Sequence, residues 1–309
     1  MHVGVPKEIK THENRVGLTP ESVAELTRRG HRVTVETNAG QGISKTDDDY
    51  RSAGAEISGD AAAIFAEAEM IIKVKEPQAA ERRMLREGQI IFTYLHLAPD
   101  AEQTRDLVDS GAICIAYETV TGADGRGLPL LTPMSQVAGR LSIQAGAHAM
   151  EWINGGRGLL LGGVPGVRPA KVTVIGGGVV GENAIQMAIG LGADISVLDR
   201  DVTVLDRLSH RYGPALTTLY STAAALEEEV LSADLVIGAV LVAGAEAPKL
   251  VTADMVRRMK TRSVMVDVAI DQGGCFETSR ATTHVEPTYV VDDVVHYCVA
   301  NMPSAVPGT

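Results

Sequence analysis

Apolar and polar positions along the chain fall into two alternating periods. Up to Tyr117, short runs rich in Val, Ile, Phe and Tyr at 2–6, 32–36, 70–75, 90–96 and 114–117 have the length and residue types of strands. Between them, 21–29, 61–68 and 101–110 place apolar residues near helical spacing. Such alternation predicts a parallel sheet with helices as crossovers. Thr19 suits an N-cap for the first helix, Pro20 and Glu21 suit its first turn, and Gly30 closes it. A longer helical stretch follows at 134–154, and the Gly- and Pro-rich segment 155–169 reads as a loop containing the hinge region. Strands then resume at 171–175, 194–198, 217–220, 235–239 and 263–269. The chain thus reads as α/β, with two Rossmann-like doubly wound parallel-sheet domains and no residue-level repeat between them. The expected division is a substrate or catalytic domain at 1–133, a linking helix and loop at 134–169, a dinucleotide-binding domain at 170–300, and the start of a return segment at 301–309.

The second half carries the clearest chemistry. An apolar strand ending at Ile175 runs directly into Gly176-Gly177-Gly178-Val179-Val180-Gly181, a helical pattern follows, and a second strand ends at Asp199, eighteen residues beyond Gly181. Gly176 fits a tight turn, Gly178 a close backbone approach to a pyrophosphate, and Gly181 close packing of helix on strand. The helix N-terminus offers N–H groups to the phosphates. Asp199 can accept hydrogen bonds from ribose hydroxyls and would repel a 2′-phosphate, which favours NAD over NADP, while Arg200 beside it pulls the other way. Glu182 puts a negative charge in the first helical turn; pointing outward, it complements the helix dipole.

Length and charge narrow the class further. At 309 residues the chain exceeds what one growing core usually accommodates, in keeping with two domains. With 28 basic against 39 acidic residues the net charge is −11, which disfavours a nucleic-acid partner. No apolar run is long enough to span a bilayer, so no membrane role is expected. Cys114, Cys275 and Cys298 lack metal-ligand spacing and follow no secretory signal, which fits a cytoplasmic protein without a structural metal.

Four polar residues sit where ligands gather in such sheets, beyond the carboxyl ends of strands. Lys75 ends the 70–75 run and suits a carboxylate, although position alone favours a solvated strand-end lysine such as Lys73. His96 ends the apolar 90–96 run, where an imidazole can exchange protons near neutral pH or serve as a structural histidine. Asp271 follows the apolar run 264–270 and precedes Gln272-Gly273-Gly274, in a site that also suits a turn-capping aspartate. Arg15 lies between the first strand and first helix, where a surface arginine would look the same.

Taken together, these segments resemble the L-alanine dehydrogenase family. The resemblance runs through Gly4-Val5-Pro6-Lys7-Glu8, Glu13-Asn14-Arg15-Val16, Lys73-Val74-Lys75-Glu76-Pro77, Tyr94-Leu95-His96, Pro133-Met134-Ser135, the glycine loop, Pro248-Lys249-Leu250 and Asn301-Met302-Pro303. It implies a two-domain subunit with the active site in the cleft, assembled as a homo-oligomer, usually a hexamer. By that resemblance Arg15 and Lys75 hold the substrate carboxylate, as cations can, while His96 and Asp271 manage protons and water. Cations near His96 would lower its pKa and help it act as a base. The adenosine would lie near Asp199 and Ser221, the middle of NAD near Val240 and Leu241, and the nicotinamide near Ser135, Asn301 and Met302, with Val179, Val180, Arg200, Val268 and Asp271 as further cofactor contacts.

The implied reaction takes alanine to an imine by hydride transfer to NAD, with water then releasing ammonia and pyruvate; the reverse joins pyruvate and ammonium. Two departures from the family pattern stand out: its members continue past the Pro303–Pro307 region, and Gln136 stands where they commonly have Glu. Three other readings stay open. One is the NAD(H)-binding subunit of proton-pumping transhydrogenase, which needs no carboxylate clamp. Another is a related dehydrogenase or imine-forming enzyme for a different amino or oxo acid. The third is a non-catalytic NAD-binding protein.

Overall fold

The computed structural model describes residues 1–98, 100–240 and 247–309. They form two compact units, one of Met1–Leu131 with Ser304–Thr309 and one of Thr132–Pro303. Residues 134–169, expected as a link, lie within the second unit.

Unit 1 runs β1 (His2–Val5), α1 (Pro20–Arg28), β2 (Arg32–Glu36), α2 (Asp47–Ser52), β3 (Glu56–Ser58), α3 (Ala61–Glu67), β4 (Met70–Ile72), α4 (Ala79–Arg82), β5 (Ile90–Thr93), α5 (Ala101–Asp109) and β6 (Ile113–Ala116). Among the described residues its strands form one parallel sheet in the order β3-β2-β1-β4-β5-β6. Alternation along β1 shows why helices flank both faces. Val3 and Val5 join Val23 of α1 and Val33 and Val35 of β2 in one apolar cluster. Gly4 points the other way, and a Cβ there would come within 2.6 Å of Ile64 and 2.9 Å of Ala68, at and just after α3. Glycine at this strand position therefore lets α3 pack close. Thr19 caps α1, accepting from the Ser22 backbone N–H. Strands β4 and β5 stop at Ile72 and Thr93, so the 73–75 and 94–96 segments expected in strand are loop.

Unit 2 opens with α6 (Thr132–Ala149) and continues with β7 (Lys171–Ile175), α7 (Val179–Gly190), β8 (Asp194–Asp199), α8 (Val202–Tyr212), β9 (Thr217–Tyr220), α9 (Ala223–Ser232), β10 (Leu235–Gly238), α10 (Ala253–Arg258), β11 (Val264–Asp267), β12 (Thr288–Val291) and β13 (Val294–Tyr297). The sheet order is β12-β13-β11-β10-β7-β8-β9, parallel except for β12 on β13. Counted from β1 and from β7, both units share the 3-2-1-4-5 winding of dinucleotide-binding folds, continued by β6 in unit 1 and by β13 and then β12 in unit 2, although their residues do not repeat. Helix α6 crosses α7 at Gly139, where a Cβ would lie 2.2 Å from the Val180 carbonyl oxygen. No helix among the described residues is long and apolar enough to cross a membrane.

Candidate active site

In unit 1 the loops beyond β1, β4 and β5 leave the sheet on either side of its switch point, where winding reverses and ligands bind in open parallel sheets. Arg15 lies in the first. Its backbone N–H and Nε donate to Glu13 Oε1 at 2.9 and 2.7 Å, and Nη2 donates to Glu13 Oε2 at 2.6 Å. A two-pronged carboxylate fixes both the plane and the direction of a guanidinium. The Glu13 side chain is fully buried and that of Arg15 is 11% exposed, so water competes little for the pair.

Lys75 belongs to the second loop and is 5% exposed, which sets it apart from a solvated strand-end lysine. Its Nζ is 3.7 Å from Glu76 Oε2, while Lys10 bonds the other Glu76 oxygen. Burial pushes the Glu76 carboxyl up, but Lys75 and Lys10 outweigh it and hold Glu76 below its ordinary range. Lys73, read from sequence as solvated, is instead completely buried. Its Nζ lies 3.1 Å from Glu8 and 2.8 Å from Glu81. Burial opposes the Lys73 charge, yet the two carboxylates together prevail and raise its pKa. A lysine can sit in this core only because both acids meet it there.

His96 lies in the third loop, three residues after the end of β5. It is half-buried, and its backbone takes the left-handed region at φ 49°. Its ring stacks on Tyr94 at 6.0 Å between centroids and 15° between planes. Burial pushes the Tyr94 phenol up to about 12, with the Arg15 charge pulling it back and Glu118 adding to it, so Tyr94 stays neutral at ordinary pH. Its hydroxyl donates to the Leu130 carbonyl. Tyr94 thus stands within reach of the Arg15 charge and carries the His96 imidazole on its face.

In unit 2 the loop after β7 has little freedom. Gly176 has φ 97°, and a Cβ there would press on the Ala239 carbonyl at 2.9 Å and on Val240 at 3.2 Å. A Cβ on Gly181 would lie 1.8 Å from the Gly176 carbonyl oxygen, whereas one on Gly178 meets no described atom within 4 Å. The space beside Gly178, at the N-cap of α7, is what a pyrophosphate drawn to the first-turn N–H groups requires. Val179 is exposed and Val180 half-buried in that turn. Asp199 closes β8 and accepts from the Gly177 N–H at 2.7 Å; Ser221 N–H reaches the Asp199 carbonyl at 3.0 Å, and Arg200 is exposed next door. Glu182 does not point outward into solvent but is gripped by Arg207 and Arg211 of α8.

Strand β11 ends at Asp267, four residues earlier than Asp271, which sits in the 3-10 turn Val268–Gln272. Asp271 is exposed, and its Oδ1 accepts from the Asn301 N–H at 3.3 Å. Val268 and Asn301 are half-buried and Met302 is buried. Ser135 lies one helical turn before Gly139, on the α6 face that meets the start of α7. Leu241 lies outside the described residues.

Several residues that shape these loops were not singled out from sequence. Asp267, fully buried, accepts from the N–H groups of Ala269, Cys275 and Phe276 and from Ser279 Oγ, tying both ends of the Asp271 turn. Lys249 donates to the carbonyls of Gly273 and Gly274 at the end of that turn. Glu13 stands two residues from Arg15, a spacing that hints at the pair, but nothing local marks Glu8, Gln103 or Glu118.

Gly181→Ala is expected to cost about 1–3 kcal/mol of stability, because the clash is with backbone that has no rotamer to escape into. It should also weaken NADH binding, since the same shift displaces the first turn of α7. Thermal unfolding and NADH fluorescence titration check both; an alanine variant with unchanged values would contradict the close-packing role.

Comparison with known proteins bears on both units. Residues 4–138 match the family described as alanine dehydrogenase/PNT, N-terminal domain, and 142–309 match its C-terminal domain. The alanine dehydrogenase of Halomonas elongata is 61% identical over 309 residues, covering 100% of this chain and 83% of that protein. A solved L-alanine dehydrogenase superposes with a TM-score of 0.94 at 53% identity, over 100% of this chain and 85% of that one. A transhydrogenase from Sinorhizobium meliloti gives a TM-score of 0.87 at 27% identity, covering 100% and 88% respectively. With both halves matched and more than half the residues shared with a named member, the chain belongs to the alanine dehydrogenase/PNT family.

Proposed function

We propose that this chain catalyses the NAD-dependent oxidative deamination of L-alanine to pyruvate and ammonia, and the reverse reductive amination. The observation that carries the proposal is the set of groups beyond β1, β4 and β5: two cations suited to one carboxylate, and an imidazole stacked on a neutral tyrosine. The 61% identity to an alanine dehydrogenase supports that amino acid over others, and a carboxylate clamp with a histidine is more than a transhydrogenase needs.

NAD fits the residues present. Gly176 and Gly181 leave no room for side chains, Gly178 leaves space for phosphate, and Asp199 can take ribose hydroxyls. Bound NAD⁺ supplies the hydride acceptor for the substrate Cα. Arg15 and Lys75 hold the substrate carboxylate, and Glu13 keeps the Arg15 guanidinium in one plane so that little ordering remains to be done on binding. His96 acts as general acid and base, removing the amino proton on oxidation and returning one in the reverse direction. Asp271 serves as the second proton-handling group. Ser135, Val179, Val180, Arg200, Ser221, Val240, Val268, Asn301 and Met302 complete the proposed NAD contacts, with unit 1 as the substrate domain and unit 2 as the cofactor domain. A cytoplasmic homo-oligomer accompanies this function. Trp152, Ile153, Leu160, Val164 and Val167 all expose apolar surface within one segment of unit 2, more than a solitary subunit usually leaves in water.

The deciding experiment follows NADH consumption with pyruvate and ammonium. Turnover is expected with NADH, and at least about tenfold less with NADPH, because Asp199 would face the 2′-phosphate across like charge. NADH binding without turnover on pyruvate and ammonium would sink the alanine reaction and leave another substrate or a non-catalytic role.

A further inference from the structure

The Leu95–His96 peptide is gripped from both sides by groups far away in sequence. On one side, Glu118, in the 3-10 turn Tyr117–Thr119 after β6, accepts on Oε1 from the His96 N–H at 2.7 Å and from the Leu95 N–H at 3.0 Å, the latter also reaching Oε2 at 3.3 Å. On the other, Gln103 of α5 donates its side-chain Nε2–H to the Leu95 carbonyl at 2.6 Å, and Gln103 is 1% exposed. The N–H and C=O of a single peptide plane are thus each held by a side chain.

This plane leads into His96 at φ 49°. A non-glycine residue in the left-handed region costs of the order of 1–3 kcal/mol and persists only where its surroundings overdetermine it. The hydrogen bonds of Glu118 and Gln103 are what the chain offers for that purpose. Because φ of His96 rotates everything beyond its N–Cα bond, the same bonds set the direction in which the imidazole leaves the backbone.

We infer that Glu118, seconded by Gln103, is a positioning residue that holds the backbone of His96 in its left-handed conformation and so aims the imidazole for proton transfer. The inference rests on His96 being the general acid/base. Glu118 acts through His96, so its loss should lower the rate of the chemical step and leave substrate and NADH binding nearly unchanged. Since Oε1 takes the His96 N–H bond and the shorter of the Leu95 N–H bonds, a glutamine amide oxygen in its place keeps both of these, whereas alanine keeps neither.

The test is a set of variants assayed with NADH, pyruvate and ammonium. Glu118→Ala is expected to lower kcat by about 10- to 100-fold, the size of effect that a displacement of about 1 Å produces, with both KM values within about twofold. Glu118→Gln should recover kcat to within about threefold. The double variant His96→Ala with Glu118→Ala should be no slower than His96→Ala alone, because a group that acts only through an imidazole has nothing left to position. If Glu118→Ala is obtained only unfolded, Gln103→Met removes the opposite anchor and carries the same expectation for kcat, KM and the double variant. Normal kcat in a folded anchor variant, or a double variant that loses the product of both single effects, overturns the positioning role. Near-normal turnover in His96→Ala would instead overturn the acid/base assignment itself, a distinct outcome.

Discussion

Replacing His96 by alanine is expected to lower turnover with pyruvate and ammonium by about 10²–10⁴-fold, the usual contribution of a positioned acid/base. The side chain is half-buried and rests on the Tyr94 ring, so its loss removes little core packing and the variant should fold. NADH titration should be close to that of the parent chain, since every backbone group of the glycine loop lies in unit 2. The limb of the pH–rate profile that reports this imidazole should vanish along with the rate. An alanine variant with near-normal turnover and an unaltered profile would remove His96 from the mechanism.

The largest expected effect on stability belongs to Lys73→Met. Methionine fills a similar volume, but it leaves Glu8 and Glu81 facing each other in the core without their cation. Breaking such a buried arrangement by removing one partner costs about 3–5 kcal/mol. The pH dependence has a definite sign. Burial already raises the pKa of Glu8, and losing Lys73 takes away its strongest counter-influence. The folded variant would then hold more protons than its unfolded chain at the same pH, so its stability falls as pH rises through and above the carboxylate range. Urea unfolding at mildly acidic and mildly alkaline pH measures this; a deficit that shrinks as pH rises would refute the buried-triad account. Because Glu8 Oε1 also accepts from the N–H groups of Val74 and Lys75, the damage should extend to the loop that presents Lys75.

The fold was legible wherever a run was long or its boundary had a chemical mark. Strand β7, the glycine loop and Asp199 could be read as a unit, since each glycine answers a separate steric demand. The short edge strand β3 and the brief helices α2 and α4 have too few residues for any periodicity to show. The hairpin of β12 and β13 carries a weaker version of the usual signal. Tyr289-Val290-Val291 and Val294-Val295-His296-Tyr297 flank the pair Asp292-Asp293, whose φ values of 48° and 61° are those of a type I′ turn. Aspartate in place of the usual Asn-Gly hid it. Site residues at strand ends were visible because topology puts ligands there. Their supports were not: Glu118 lies 22 residues from the His96 N–H it holds, and no local pattern encodes such a distance. Lys73 misled for a related reason, as its two partners come from other parts of the chain.

Asp199 joins two tasks that are usually discussed apart. Its Oδ2 accepts from the Gly177 N–H and its Oδ1 from the Asp201 N–H, so the acid suited to ribose hydroxyls is also a strut of the phosphate loop. Evolution toward the phosphorylated coenzyme cannot simply neutralise this side chain. Any lineage making that exchange must first find another acceptor for Gly177, or coenzyme preference will change only as the loop that grips every nicotinamide dinucleotide slackens.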